Sequence, residues 1–421
     1  MRTLYAFNVL SLLGGTVYGL YYGIFLYEKT FSLSVLALDG LFGGFGTWAG
    51  YLLGIFVIRR FGYGACLKLA FGLWAIVAFV TAIIAGHIAQ WFILMAVFKA
   101  LPAGLYGVAG DTITLRDVKN ESRNNFLQVI LAFEFLIGVL LPAMVGVLIR
   151  AKGYELSFVL AGFIYLLAFL VPVRLAKPEL YFNVLETLRT FRRPWYPQHA
   201  TNRTLSSGFN QLNGFMLTII PFILLKDELK VGVLTSAIAL MAGMVSLIVR
   251  RMKSQQKLRF GYGAYFIRAM VSLLFVCIWS APILMVWQLI NKLATPLHDP
   301  LQKGLDIHND SLILGKDTQQ KALQINVLNN TLLLIGMTLA YGSFFFITRS
   351  TTAQQRFVLQ LLIMAYAIWR FVNLTISARI NQKAQEPVGY GPLLFNFMPA
   401  LVLLKRYANN QMARLVFLIA R

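Results

Sequence analysis

The chain has 421 residues, of which 58% are hydrophobic and 13% are charged, and its mean hydropathy is +0.68. This composition argues against a water-soluble globular fold, because a soluble protein of this size cannot hide so much apolar surface. The net charge of +22 does not indicate nucleic-acid binding, because the basic residues lie in short gaps between apolar segments rather than on soluble domains. We therefore expect membrane lipids around the protein and no nucleic-acid partner.

Apolar segments long enough to cross a bilayer recur along the chain, since a membrane-spanning helix needs about 20 apolar residues. In the first half we predict helices over 5–27, 32–58, 66–86, 90–112, 126–149 and 156–173. In the second half we predict them over 207–225, 231–250, 261–282, 283–305, 324–347 and 356–379. The sequence thus predicts an all-α, polytopic membrane protein with 12 transmembrane helices. The tenth segment carries several polar residues and can span only if these face protein or water.

Two polar stretches divide this pattern into domains. We predict an N-terminal six-helix bundle over 1–175, a cytoplasmic linker over 176–206 and a C-terminal six-helix bundle over 207–385. Residues 386–421 alternate short apolar runs with lysine and arginine, a pattern typical of amphipathic helices at a membrane surface. Most loop lysines and arginines fall on one side of the predicted bilayer. We therefore expect a cell-membrane protein with both termini in the cytoplasm.

A duplicated hexapeptide indicates that the two halves are related. Arg60-Phe61-Gly62-Tyr63-Gly64-Ala65 recurs as Arg259-Phe260-Gly261-Tyr262-Gly263-Ala264, which is an offset of 259 minus 60, or 199 residues. Each copy precedes the third predicted helix of its half. Asp111 and Asp310, also 199 residues apart, end the fourth helix of each half. The sequence therefore predicts two parallel repeats of six helices each.

Three motifs resemble those of the major facilitator superfamily. The superfamily loop between the second and third helices reads Gly-x-x-x-Asp-Arg-x-Gly-Arg-Arg; here Arg60 and Gly62 match it, and Arg59 stands in place of the Asp. Lys99 to Gly104 is similar to the Arg-x-x-Gln-Gly stretch of the fourth helix, with Lys in place of Arg. Gly138 to Gly146, with Pro142 between them, is similar to the antiporter motif of the fifth helix, with Leu141 in place of the Gly before Pro.

The resemblance implies a carrier that works by alternating access. We expect a secondary transporter that moves a small amphiphilic solute, with proton-coupled efflux as the favoured mode and no cofactor, acting as a monomer. The corresponding gating residues are Arg59, Arg60, Gly62, Arg259, Gly261, Asp111 and Asp310. A flippase for a lipid or lipid-linked molecule on the same fold is the alternative. An integral-membrane enzyme is less favoured, because His298-Asp299 has no second cluster of catalytic or metal-ligating residues beside it.

Charged residues inside the predicted helices are candidates for transport, because an intramembrane charge is costly. We predict Glu134 in the fifth helix as the proton-coupling carboxylate, with a permanent structural ion pair as the alternative. Lys99 is expected to bind an anionic group or to pair with Glu134. Asp39 is either a second proton site or a cap on the glycine-rich run that follows it, with the cap slightly favoured. We expect Arg370 to pack against a neighbouring helix and Arg268 to extend toward the membrane surface.

The remaining polar residues of the predicted helices are mostly tyrosines and amides. Such a cavity suits an amphiphilic or partly aromatic ligand, although any one tyrosine can equally pack between helices. Helical spacing places Tyr18, Tyr21 and Tyr22 on one face. The predicted substrate-binding residues are Tyr18, Tyr21, Tyr22, Lys99, Tyr106, Asn210, Gln211, Asn213, Gln288, Asn291, Lys292, Asn326 and Asn330.

Overall fold

A computed structural model describes residues 2–117, 120–171, 196–252, 254–278, 280, 282–296 and 322–348, together with the single helical positions 363, 366, 369 and 372. The first half contains α1 (Arg2–Thr30), α2 (Leu33–Phe61), α3 (Tyr63–Ile83), α4 (Ile88–Asp117), α5 (Asn120–Lys152) and α6 (Tyr154–Leu170), with a short 3₁₀ turn, Ala85–His87, before α4. The second half contains α7 (Tyr196–Leu225), α8 (Glu228–Arg251), α9 (Ser254–Cys277), α10 (282–296) and α11 (Ala322–Thr348).

The described helices confirm an all-α, polytopic membrane protein. Eight of them contain an apolar stretch long enough to cross a bilayer, and α6 is a shorter apolar helix. The eleventh predicted helix corresponds to α11, and the four described positions of the twelfth are helical. Residues 297–305 of the tenth predicted helix lie outside the described residues.

Equivalent turns begin the two halves. Phe31, after α1, and Lys226, after α7, are the two described non-glycine residues with positive φ, at 46° and 51°. Each is followed by a residue whose side chain caps the next helix: Ser32 accepts from the amide of Val35, and Asp227 accepts from the amide of Lys230. Such caps satisfy amides that have no partner within the helix. The same turn design at both places supports the internal repeat.

The two hexapeptide copies have different structures. In the first copy Gly62, with φ of 89°, ends α2 and precedes α3, a conformation that glycine adopts without strain. In the second copy Arg259 to Ala264 lies inside α9, which begins at Ser254. The expectation that both copies immediately precede a helix is therefore wrong for the second. Polar residues Ser254 to Gln256 precede it, and the break between helices has moved upstream of them.

The N-terminus of α7 also differs from the sequence prediction. The helix begins at Tyr196, so residues 196–206, which we assigned to the linker, are helical. Pro197 does not interrupt the helix, because a proline in the first turn removes no intrahelical hydrogen bond. The domain boundaries themselves stay a prediction.

Close packing of α2 on α4 shapes the first half. Gly46 and Gly50 of α2 lie directly against the backbone carbonyls of Val97 and Leu101 in α4, where a Cβ atom would overlap with them. Gly104 of α4 is in the same contact from the other side. Small residues on both helices therefore bring the two backbones together, as is common in membrane bundles. Gly46 belongs to the glycine-rich run that follows Asp39, so the end of this run packs against α4.

Two helix pairs make the largest contacts between the described parts of the two halves. α5 packs along α8, and α2 packs along α11. We call the end of the bundle where α1 ends and α2 begins the Thr30 end, and the end where α2 ends and α3 begins the Gly62 end.

Candidate functional site

A buried ion pair lies between α2 and α4. The Lys99 ammonium is 2.5 Å from the Asp39 carboxylate, and their side chains are 19% and 11% exposed. The ammonium also lies 3.8 Å from the centre of the Tyr22 ring, and the Tyr22 hydroxyl donates to the other Asp39 oxygen over 3.4 Å. Pairing and ring contact together compensate a charge that would be costly alone in an apolar bundle. The first correction to the sequence predictions follows, since Lys99 pairs with Asp39 instead of Glu134.

The second correction concerns Asp39 itself. The residue lies well inside α2, whose N-cap is Ser32, so its carboxylate does not cap a helix. Gly40, beside it, lies against the ring of Tyr341 in α11. The Tyr341 hydroxyl in turn donates to the carbonyl of Gln211 in α7 over 3.5 Å. The ion pair therefore sits next to the junction between the two halves, where a change in its charge can affect their packing.

The three tyrosines of α1 do not share one environment. Tyr18 stacks on Tyr22, and its hydroxyl lies 2.9 Å from that of Thr81 in α3. Tyr21 points elsewhere and donates from its hydroxyl to the carbonyl of Pro142 in α5 over 2.5 Å. All three are buried. The three positions share one side of α1, as helical spacing predicts, but their hydroxyls contact three different helices.

The glycine and proline residues of α5 form the contact with α8. Three residues at four-residue spacing face this helix: Gly138 lies against Ala239, Pro142 against Gly232, and Gly146 against the backbone at Glu228 and Leu229. Spacing of four residues keeps all three on one side of α5. The motif that resembles an antiporter sequence thus forms the seam between the halves, which we call the α5–α8 seam.

Polar contacts join the halves at the Thr30 end. The Tyr154 hydroxyl at the start of α6 donates to Glu228 over 2.9 Å, and Glu28 of α1 lies beside the same tyrosine. Arg150 and Asp227 are 4.0 Å apart and partly exposed. Such exposed pairs contribute little stability. Together with the aromatic contact of Tyr27 and Phe222, they hold this end together.

Glu134 lies just beyond the α5–α8 seam. Phe135, the next residue, packs against Gly243 of α8, whereas Glu134 is exposed. Helical spacing places Glu134 on the same side of α5 as Leu141 and Val145, which face the interior, and away from the exposed stripe of Leu140. The same four-residue spacing puts Glu134 in line with Gly138 of the α5–α8 seam.

The second half contains a buried arginine that the sequence analysis placed wrongly. Arg268 of α9 is 3% exposed and donates to Asn291 of α10 and, over 2.8 Å, to the Tyr366 hydroxyl. It does not extend to the membrane surface, because α9 begins at Ser254 and places Arg268 in the middle of the helix. The amide of Gln288 donates to the Leu217 carbonyl of α7 over 2.8 Å and is buried as well.

The other predicted substrate residues are scattered. Tyr106 is half-buried within the first half and donates to Asn8 over 3.0 Å. Asn213 is buried, and its side-chain oxygen has no hydrogen-bond partner among the described residues. Of the rest, Asn210, Gln211 and Lys292 are exposed, and Asn330 is half-buried. The side chain of Asn326 lies outside the described residues.

The predicted gating residues are only partly described. Arg59 and Arg60 are exposed at the end of α2, and Gly62 forms the turn that follows. Three more gating residues lie in helices, but only their backbone is described: Asp111, Arg259 and Gly261. Four residues named in the sequence analysis lie outside the described residues: His298, Asp299, Asp310 and Arg370. Within the described residues no group of three or more metal-ligating side chains occurs.

Solved structures with the same fold are transporters. No protein-family model and no curated protein sequence matches this chain. One similar structure is a bacterial homologue of the human lysosomal transporter Spinster, in an inward-facing and unoccupied conformation, with 14% identity and a TM-score of 0.61 over 92% of this chain and 98% of that chain. Another is a variant of the nucleoside transporter NupG, with 12% identity and a TM-score of 0.62 over 90% and 99%.

These likenesses show that the chain shares its fold with the two transporters over most of its length. A shared fold does not by itself determine the function. The sequence analysis anticipated that fold from the repeat but missed the Arg268 cluster. A polar residue one turn further along α9, Ser272, which accepts from the indole of Trp287, is the signal that could have indicated an inward-facing polar side.

Proposed function

We propose that the chain is a secondary transporter of the major facilitator type that moves a small amphiphilic solute by alternating access, with proton coupling and efflux as its mode. The observation that carries the proposal is the Asp39–Lys99 ion pair beside the junction of the halves. A buried pair is sensitive to proton binding or ligand binding, because loss of either charge leaves the other uncompensated. Packing at that junction then changes with occupancy.

The ion pair supports a simple exchange. When Asp39 takes up a proton, Lys99 loses its counter-charge and can bind an anionic or polar group of the cargo. When the proton leaves, the pair re-forms and the cargo is released. Glu134, which is exposed on α5, is the proposed entry point for the proton. The ring of Tyr22 over the ammonium provides an aromatic surface for the cargo.

We infer the cargo class from exposed polar side chains of the second half. Asn210 and Gln211 of α7 and Lys292 of α10 are exposed polar groups on predicted lining helices. Amide and aromatic groups with few charges suit a ligand that has both an apolar body and polar substituents. We place the protein in the cell membrane as a monomer, with both termini in the cytoplasm, because most loop lysines and arginines then lie inside.

The experiment is transport in proteoliposomes. Purified protein is first screened by thermal shift against amphiphilic compounds, because a ligand of the folded state raises the melting temperature. Compounds that bind are then tested for movement driven by an imposed pH gradient. We expect Glu134→Gln and Asp39→Asn to abolish the pH dependence, whereas Glu155→Gln, an exposed acidic residue of α6, retains it. If Glu134→Gln and Asp39→Asn both keep the wild-type pH dependence, the proposal that protons couple through these residues is wrong.

The second candidate function is lipid translocation. It is favoured by the combination of an aromatic interior with the exposed arginines Arg59 and Arg60 at the Gly62 end. A flippase moves its cargo without releasing it into water. Fluorescently labelled phospholipid in the same proteoliposomes distinguishes the two functions, because added dithionite quenches only the label in the outer leaflet. A protein-dependent increase in the quenched fraction supports the flippase. No increase, together with solute transport, supports the solute carrier.

A further inference from the structure

One face of α2 changes its surroundings along the helix. Gly40 and Gly44 pack on Tyr341 and Met337 of α11, and the indole of Trp48 lies 3.4 Å from the Thr331 hydroxyl. Steps of three or four residues keep positions on one side of a helix. Continued past Trp48, the same face presents Leu52, Ile55 and Arg59. The face that joins the halves near the Thr30 end therefore continues as a different surface toward the Gly62 end.

That surface contains a cavity of about 460 Å³ lined by Leu52, Ile55, Phe56, Arg59 and Arg60. Its wall is apolar and accessible, with Leu52 40% and Phe56 57% exposed. The two exposed arginines stand at the end of the wall, in the last turn of a helix that crosses the bilayer. The apolar part thus lies at hydrocarbon depth and the guanidinium groups lie near the membrane surface.

The chemistry of this cavity matches a phospholipid with a net negative charge. A guanidinium group binds phosphate oxygens through paired, charge-assisted hydrogen bonds, and two adjacent arginines provide two such forks. The apolar wall suits an acyl chain. The pair of adjacent arginines is particular to the first half, because at the 199-residue offset Leu258 stands in place of Arg59.

We propose that this cavity binds an anionic phospholipid, with the headgroup phosphate on Arg59 and Arg60 and an acyl chain along Leu52 and Phe56. The lipid covers the continuation of the α2 face that packs on α11. The site does not depend on the identity of the transported cargo or on proton coupling.

The test compares lipid binding to the detergent-purified full chain and to two double variants. Arg59→Gln with Arg60→Gln removes the proposed phosphate contacts. Lys29→Gln with Lys152→Gln removes the same charge from exposed positions at the Thr30 end and serves as the control. The probes are phosphatidylglycerol, phosphatidylcholine and inorganic phosphate, measured by the shift in melting temperature. Variants that match the wild-type melting temperature without lipid are folded and informative.

We expect phosphatidylglycerol to stabilise the wild type and the control, and its apparent affinity to fall roughly 30-fold in the arginine variant, since each basic residue near the surface contributes about one factor of five. Phosphatidylcholine and inorganic phosphate should have little effect. Equal stabilisation of the arginine variant overturns the site. A shift with inorganic phosphate as large as that with phosphatidylglycerol overturns the lipid assignment and indicates a free-phosphate site.

A second measurement keeps the proposal testable if the arginine variant does not fold. Phosphatidylglycerol with a photoreactive acyl chain is crosslinked to the wild-type protein in liposomes, and the labelled peptide is identified by mass spectrometry. Labelling within residues 52–60 that is reduced by excess phosphatidylglycerol supports the proposal. Labelling spread equally over the exposed apolar residues of other helices, such as Ile76 and Leu167, contradicts it.

Discussion

The amide of Ala143 in α5 donates to the hydroxyl of Ser236 in α8 over 3.1 Å, so a backbone group of one half is bonded to a side chain of the other. Pro142, the preceding residue, interrupts the regular hydrogen bonding of α5. The Pro142 carbonyl accepts from Tyr21 of α1. A single proline thus connects α1, α5 and α8, and the α5–α8 seam depends on a local irregularity as well as on small residues.

Gly232→Ala is expected to disrupt this seam. A Cβ at position 232 would overlap with the Pro142 carbonyl and lie 2.6 Å from the Tyr21 hydroxyl. Overpacking of this kind costs about 1–3 kcal/mol, which shifts the population away from the arrangement closed at the Thr30 end. The measurement is crosslinking, with a bifunctional thiol reagent, between cysteines introduced at Arg150 and Asp227, whose guanidinium nitrogen and carboxylate oxygen are 4.0 Å apart. We expect a lower crosslinking yield.

Gly342→Ala is the matched control, because a Cβ at that position of α11 meets nothing within 4 Å. It should leave the yield at the wild-type level. If Gly232→Ala also leaves the yield unchanged, close packing of α5 on α8 does not hold the Thr30 end together.

Gly50→Ala tests the contact of α2 with α4. The added Cβ would overlap with the Leu101 carbonyl, which is part of a helix backbone and cannot rotate away. We expect the two helices to separate, with a fall in the yield of monodisperse protein and a loss of stability of about 1–3 kcal/mol. Size-exclusion chromatography and thermal melts measure both effects. Gly19→Ala in α1, where a Cβ meets nothing, should behave as wild type; equal behaviour of the two variants refutes the role of Gly50.

The sequence predicted the fold more fully than the site. Hydrophobic segments of fixed length specify membrane helices, because the bilayer thickness limits the alternatives, and the repeated hexapeptide specified two related halves. Pairing partners were harder to predict. Asp39 and Lys99 are 60 residues apart, and helical spacing does not show which helices are neighbours. The sequence predicted Glu134 as the ion-pair partner of Lys99, whereas the packing of α2 on α4 places Asp39 beside it.

Arg268 shows a second reason for the difference. Its predicted position near a helix end followed from a helix drawn over 261–282, whereas α9 spans Ser254–Cys277. Because α9 begins seven residues earlier than predicted, Arg268 lies about 10 Å farther from the N-terminus of the helix, since each residue rises about 1.5 Å. The boundary error came from polar residues that the helix includes. In α9 the polar residues before the apolar run therefore belong to the helix and do not mark where it begins.

Arg268→Ala is expected to destabilise the second half. It would leave the buried oxygen of Asn291 and the hydroxyl of Tyr366 without the donor that they now share. Each buried group left unsatisfied costs about 1–3 kcal/mol, so the melting temperature should fall clearly. Arg268→Lys should restore only part of the loss, because an ammonium cannot reproduce the two-sided geometry of a guanidinium.

Lys292→Ala, one residue beyond Asn291 and exposed, is the control for loss of a cation in this region. Its effect should stay within about 0.5 kcal/mol. A melting temperature for Arg268→Ala equal to that of Lys292→Ala contradicts a structural role for the buried arginine.

The ion pair of Asp39 and Lys99 makes a prediction about coupling rather than about single substitutions. Asp39→Asn leaves the largely buried Lys99 ammonium without its counter-charge, and Lys99→Gln leaves the Asp39 carboxylate without its counter-charge. Loss of one partner of a buried pair typically costs about 3–5 kcal/mol. The double variant contains two neutral side chains that can still form a hydrogen bond, so it should be more stable than the sum of the single effects predicts.

Thermal or denaturant unfolding of the four proteins completes this double-mutant cycle. We expect an interaction energy of at least about 1 kcal/mol, within the range found for residues in contact. The cation and ring contact of Lys99 with Tyr22 is retained in Asp39→Asn and lost in Lys99→Gln, so Lys99→Gln should be the less active of the two toward an aromatic cargo. Additive single effects would show that the two charges act independently and would remove the pair from the proposed transport cycle.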